Sequence, residues 1–225
     1  MAYVYHPPTL TVDCVIFQLI DNELNVLLVQ RTTEPFKGQW SLPGAYNAAG
    51  STTMQALEER VLQAKVGLHI KDLPVIEQLY AFDTVARDPR GHAVSITYIA
   101  LGNGLEPKAS DSTQNPKFFP VKDLQRLAFD HEDIVAFAHE RLQSRITSTN
   151  AIFALLPKRF TLTGLQLAYE SILGHKLDKR NFRKKFLSFD ILVPTSKYYQ
   201  DGAHRPALLY RFKHPKLHLL DRSFA

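Results

Sequence analysis

The chain has 225 residues, 45% of them hydrophobic and 22% charged, a composition that excludes a disordered or fibrous protein. No apolar run approaches the ~20 residues of a membrane span, and the start of the chain lacks the basic and apolar regions of a secretory signal. The single cysteine, Cys14, excludes an internal disulfide and a cysteine metal cluster and fits a reducing cytoplasm. The net charge of +5 hides an asymmetry. Residues 1–150 carry 13 Lys/Arg against 17 Asp/Glu, a net of −4, and residues 151–225 carry 14 against 5, a net of +9. This predicts two domains, with a polyanion as partner of the second.

In chain order, residues 10–20 are β-branched and apolar and predict a buried strand. Asp21-Asn22 turn the chain, and residues 25–30 return as the second strand of a hairpin. Residues 31–50 are punctuated by Pro35, Gly38, Pro43, Gly44 and Gly50 and predict a loop. Residues 52–66 predict a helix stopped by Gly67. Strands are expected at 75–82 and 94–101, around an exposed loop at 86–92. Residues 103–117 predict a polar loop, 121–127 a short helix and 130–146 a longer one.

The polar stretch 147–150 predicts a boundary between domains of residues 1–149 and 150–225. Beyond it, residues 161–173 predict a helix with a capping box at Thr163 and Gln166, ended by Gly174. A second helix runs to Phe189 with Asp178 as N-cap. Strands at 191–194 and 208–212 flank a polar tip at 195–205. Helix, turn, basic helix and hairpin are the order of a winged helix-turn-helix.

The second helix has two faces. At ~100° per residue, Phe182, Phe186 and Phe189 form one apolar seam. Lys179, Arg180, Arg183 and Lys184 form a contiguous basic face opposite it, and Lys185 flanks the seam. Asn181 lies near the helix N-terminus, where base edges are met. Lys197, Tyr198, Tyr199, His204 and Arg205 on the hairpin add candidate contacts to phosphate or the minor groove. The expected partner is double-stranded DNA.

Residues 26–68 resemble the Nudix family. The lead VLLVQRTTEPFKGQWSLPG at 26–44 matches the approach to that family's box. The box reads G-x5-E-x7-R-E-U-x-E-E-x-G-U, where U is bulky and apolar, and its glutamates hold divalent metal. Gly67-Leu68 match its end, which aligns Arg60 with the family arginine. The metal positions then fall on Val61, Ala64 and Lys65, none of them a carboxylate. The glutamate expected earlier in the box falls at Ser51 or Thr52. Glu58 and Glu59 read as a solvated helix face. The resemblance implies a Nudix fold that binds a diphosphate with little or no hydrolysis. Lys65, Arg60 and Arg31 supply the positive charge, Gly44 leads the box, and Trp40 and Phe36 are candidates to stack on a base. Arg87, Asp88 and Arg90 are weaker candidates for ligand or partner contacts.

Taken whole, the chain resembles the Nudix-related transcriptional regulators, the NrtR family of bacteria. Besides the box lead, the resemblance rests on the ARDPRG loop and on FTLTGLQLAYESILGHKLDKRNFRKKF at 160–186. It implies an α+β protein: an N-terminal Nudix-like α/β/α sandwich fused to a C-terminal winged helix-turn-helix. It further implies a cytoplasmic homodimeric repressor of NAD synthesis or salvage genes on a palindromic operator. ADP-ribose, bound as an effector without metal or other cofactor, releases it from DNA. The alternative is an active Nudix diphosphatase acting on ADP-ribose or a related nucleoside diphosphate.

Overall fold

The computed structural model describes residues 7–47, 52–109, 114–200, 206–221 and 224. Strand β1 (Thr9–Ile20) carries an unbroken buried stretch from Thr11 to Gln18, because both faces of its sheet are covered. It pairs antiparallel with β2 (Glu23–Gln30) across the Asp21-Asn22 turn, where both residues have positive φ. It pairs parallel with β6 (Ala93–Leu101), which is itself antiparallel to β5 (Val75–Phe82). The short β3 (Trp40–Ser41) adds to β2, and β4 (Gly44–Tyr46) adds to β1.

Alternate residues of β1 and β2 feed two layers. Val12, Cys14 and Ile16 pack under helix α1 (Met54–Val66) with Leu57, Val61, Leu62 and Val66. Val15 and Phe17 pack on the other face under helix α2 (His131–Ser148) with Ile134, Val135, Ala138 and Leu142. The result is the expected α/β/α sandwich. Helix α1 starts at Thr53, whose side chain accepts from Ala56 N, and stops at Gly67 in the left-handed region at φ 66°.

The winged helix follows. Helix α3 (Leu162–Leu173) and helix α4 (Lys179–Ser188) pack on a three-stranded sheet of order β8 (Phe160–Thr161), β10 (Ala207–Phe212), β9 (Leu192–Tyr199). The apolar core runs without a break from the α2 side of the sandwich through the buried turn Ala151–Ala154 into α3 and α4. Leu24 N of β2 donates to Ser171 Oγ of α3 at 2.8 Å, so the hairpin of the first domain carries the second directly.

Four local expectations need correction. Residues 103–117 are not all loop: β7 (Gln114–Pro120) pairs with the outer side of β2, where Phe118 and Phe119 gain apolar neighbours despite Asn115 and Pro116. The helix expected at 121–127 is a single turn at Val121–Asp123. The cap of α3 is Thr161, which accepts from Gly164 N at 2.9 Å, whereas Thr163 lies inside the helix and Gln166 reaches forward to Glu170. Strand β9 runs on to Tyr199, so Lys197 and Tyr199 stand on the strand and not on a polar tip.

Candidate functional site

A cavity of about 300 Å³ opens at the edge of the sandwich between β1, the loop after β2, β4, the C-terminal turn of α1 and the start of α2. Its floor is a buried ionic network. Arg87, 8% exposed, donates two hydrogen bonds to the two carboxylate oxygens of Asp130, at 2.8 and 2.7 Å. The same guanidinium lies 3.6 Å from Asp13, whose other oxygen is 3.7 Å from His131 Nε2. Ser95 Oγ donates to Asp13 at 2.6 Å. Burial works against the Arg87 charge, but the Asp130 hydrogen bond and the carboxylates of Asp13, Asp130 and Asp88 outweigh it, and its pKa is raised. Burial lowers the His131 pKa, which keeps the ring neutral, and its Nδ1 accepts from Leu42 N at 2.9 Å.

Gly44 is fixed by this network. A Cβ on it would stand 2.1 Å from Asp13 Oδ1 and 2.8 Å from Val12 O, so any side chain would displace the carboxylate. At the cavity rim, Asp88 accepts from Arg90 through both Nε (2.9 Å) and Nη2 (2.6 Å), and Arg90 lies over the Tyr46 ring at 4.7 Å. Arg31 donates from Nε to Pro35 O at 2.7 Å and lies over the Phe129 ring at 4.7 Å.

Among the expected effector residues, Arg31, Gly44 and Lys65 line this cavity, and Phe36, Trp40 and Arg60 do not. Trp40 is half-buried and packs edge-on against Phe119 at 4.7 Å against the main core, so it braces the core and offers no stacking platform to the cavity. Phe36 meets the back of Phe129 at 4.9 Å and braces that wall. Arg60 is exposed, yet its charge reaches Lys65. Burial, then the charges of Arg31 and Arg60, lower the Lys65 pKa, the signature of positive charge concentrated where an anion would relieve it.

At the positions of the Nudix metal ligands, Val61 is in the core, Ala64 is exposed and Lys65 faces the cavity. An apolar side chain, a methyl group and a cation do not fit a magnesium ion, which needs oxygen ligands in near-octahedral geometry. Glu58 is no substitute, and the solvated-face reading holds for the exposed Glu59 but is corrected for Glu58: it is 2% exposed, points into the layer containing Cys14, and leaves Oε1 without a hydrogen-bond partner among the described residues. Burial, with the Glu59 charge second, raises its pKa to about 7.

The second cluster lies on α4. Asp178 caps it by accepting from Asn181 N at 2.8 Å. Phe182 and Phe186 are buried against Tyr169, and Lys179, Arg180, Asn181 and Lys184 are exposed. Two of the expected DNA-contact residues, one from the basic face and one flanking the seam, are held by the domain itself. Arg183 is half-buried and donates to Thr163 Oγ1 at 3.0 Å, and Lys185 lies over the Phe224 ring at 5.4 Å. Lys197 and Tyr199 are exposed on the wing, and Arg205 lies outside the described residues. The turn before α4 is fixed by Glu170, which accepts from Gln166 Nε2, Leu177 N and Lys176 Nζ at 2.8–3.0 Å. The Lys176 hydrogen bond, first among these, holds the Glu170 pKa down to about 2.

Comparison with known proteins agrees with this pairing of sandwich and winged helix. A NUDIX domain model matches residues 8–138, and a model of the NrtR DNA-binding winged helix domain matches residues 152–212. The ADPR responsive transcriptional repressor NtrR of Acinetobacter baylyi is 35% identical over 212 residues, covering 92% of this chain and 83% of the relative. The chain belongs to the NrtR family. Shewanella oneidensis NrtR, solved in complex with a 27mer DNA, is 31% identical with a TM-score of 0.79, covering 96% of this chain and 99% of that one. The NUDIX domain of the same Shewanella protein, solved with ADP ribose, is 35% identical with a TM-score of 0.57, covering 61% of this chain and 90% of that one.

Within the NrtR frame, the residues that sequence reasoning missed are the cavity floor and the turn clamp. Asp13, Asp130 and His131 carry no local signal, since Arg87 and Asp130 are 43 residues apart. Tyr46 and Phe129 belong to no motif. Arg87 and Asp88 were expected on an exposed loop, and both are buried. Only Glu170 left a trace in the sequence: it is the lone acid among residues 151–177.

Proposed function

We propose that this protein is a cytoplasmic transcriptional repressor whose domain of residues 1–149 senses ADP-ribose without hydrolysing it, and whose domain of residues 150–225 holds operator DNA until that effector binds. The observation that carries the reading is Lys65: a half-buried cation lines the cavity where a hydrolase keeps a metal-binding carboxylate. Lys65 and Arg31 neutralise the diphosphate, Gly44 lets the chain pass close to the ligand, and Arg60 strengthens the local field. The names of the Acinetobacter and Shewanella relatives support ADP-ribose as effector and duplex DNA as partner.

On DNA, Lys179, Arg180 and Lys184 neutralise phosphates, Asn181 reaches base edges, and Lys197, Tyr199 and Arg205 contact the backbone from the wing. Arg183 and Lys185 join them by giving up their contacts within the domain. A two-fold dimer presents two such helices to a palindromic operator, with half-sites about one helical turn or a multiple apart. Genes of NAD synthesis or salvage are the expected targets, since ADP-ribose reports on NAD turnover.

The test is a mobility shift on the DNA upstream of the protein's own gene at low salt, with and without ADP-ribose, beside an assay for AMP release in magnesium. A shift that ADP-ribose abolishes, with no AMP released, is expected. Absence of any shift overturns the regulator reading, and metal-dependent AMP release replaces it with a diphosphatase.

A further inference from the structure

The segment that follows β10 lies beyond the matched winged-helix region, which ends at residue 212. It returns to the end of α2. Asn150 holds it from both sides: its backbone N donates to His218 O at 3.1 Å, its Nδ2 donates to Lys216 O at 2.9 Å, and its Oδ1 accepts from His218 N at 2.8 Å. Thr149 and Leu219 form an antiparallel bridge, and Leu220 N donates to Ser148 O at 2.9 Å. Phe224 N then donates to Thr147 O at 2.7 Å.

This backbone ladder delivers one ring to one place. Phe224 is 8% exposed and sits 4.7 Å from the Tyr169 ring, 5.3 Å from Phe182 and 6.1 Å from Phe186. Tyr169 is itself tied to α2, its hydroxyl donating to Ile146 O at 2.9 Å. Two consecutive carbonyls of α2, Ile146 and Thr147, therefore hold the two rings on which α4 rests. Helix α4 has only 10 residues, and Phe182 and Phe186 are its buried ones, so its angle follows that aromatic seat. The other end of α2 begins at Asp130 and His131, in the cavity floor.

We infer that Phe224 and the strap that carries it are a positioning device for DNA binding: they fix the angle of α4 on the end of α2 and transmit movement of α2 to the DNA-reading helix. The inference rests on the regulator reading above. Effector binding acts at the start of α2, and a helix of 18 residues passes a rigid shift along its length to the carbonyls of Ile146 and Thr147. Without the Phe224 ring, α4 keeps its contact to Tyr169 but loses the second support that makes its angle follow α2.

The experiment measures duplex affinity of the full chain by anisotropy on the upstream DNA, with and without saturating ADP-ribose, and ADP-ribose affinity by calorimetry. For Phe224→Ala we expect about tenfold weaker duplex binding and a smaller ratio between the two duplex affinities, with ADP-ribose affinity unchanged. A merely structural ring would lower the unfolding midpoint and leave both duplex quantities as in the parent, which overturns the inference. Should the alanine variant fail to fold, Phe224→Leu keeps the seat apolar and is read by the same two quantities. A parent protein that shifts no duplex refutes the regulator reading instead, so the two failures are distinct.

Discussion

In the cavity, Arg31 and Lys65 are half-buried, each has its pKa lowered first by burial and then by a neighbouring arginine (Arg90 for Arg31, Arg31 for Lys65), and both stand over a floor in which Asp13 and Asp130 each have a partner. On α4, Lys179, Arg180 and Lys184 stand exposed on a helix that keeps only its phenylalanines inside. Both regions gather positive charge, which the proposed function assigns to phosphate. The cavity uses few charges at low effective dielectric, positioned before the ligand arrives, which suits one small anion. The helix uses many solvated charges, each worth little alone, which suits a polyanion that releases counterions. The contrast predicts that salt governs one site and geometry the other.

The largest effect is expected from breaking the cavity floor. Asp130→Ala leaves Arg87 buried without its bidentate partner, and removing one member of a buried pair costs about 3–5 kcal/mol. Urea unfolding reads this as a lower midpoint, and ADP-ribose affinity falls with it. If the floor were dispensable, the variant would unfold like the parent.

Next comes the reading helix. Replacing Lys179, Arg180 and Lys184 together with alanine removes up to three phosphate contacts. The slope of log affinity against log salt then shrinks by about 0.9 per contact, and affinity at moderate salt falls by about 100-fold. ADP-ribose binding is unaffected. An unchanged salt slope would move the DNA surface off α4.

Glu58 gives a smaller effect with a defined pH window. Its folded pKa, about 7, lies above the unfolded value of about 4.5, so the folded state holds the proton between them and stability falls as pH rises across that interval. Glu58→Gln removes this dependence and stabilises the protein by about 2–3 kcal/mol at pH 8, with little change at pH 4. Thermal unfolding at the two pH values measures it.

How much of this was legible in the sequence follows the range of each interaction. The hairpin of β1 and β2, the Gly67 and Gly174 stops, the Asp178 cap and the aromatic seam of α4 are set within a few residues, and each could be read directly. Strand β7 could not, because its Asn115 and Pro116 deny it a local strand signal and only β2 makes it one. Glu58 looked solvated because charge argues for exposure, whereas its burial is decided by strands 40 residues away. The cavity floor joins Asp13, Arg87 and the adjacent pair Asp130 and His131 from three separate places in the chain. Lys65 is the mixed case. The box alignment put it at a metal position, but only the fold turns it toward Arg31 and away from open solvent.

Lys65 is therefore where the comparison between the two regions is sharpest. A charge-assisted hydrogen bond to a phosphate oxygen contributes about 1.5–3 kcal/mol, so Lys65→Ala should weaken ADP-ribose binding by about 10–100-fold in calorimetry. Lys65→Glu should weaken it further and restore no magnesium dependence, since Val61 and Ala64 still offer no oxygen. Neither change should alter duplex affinity without effector. The pH dependence has a fixed sign: burial, Arg31 and Arg60 lower the lysine's pKa, and a bound diphosphate favours the charged form. Affinity for ADP-ribose then falls as pH rises through that lowered value, and Lys65→Ala flattens the profile. A flat profile in the parent, or an alanine variant that binds as tightly, would return Lys65 to the role of a rim lysine and leave Arg31 as the cavity's phosphate cation.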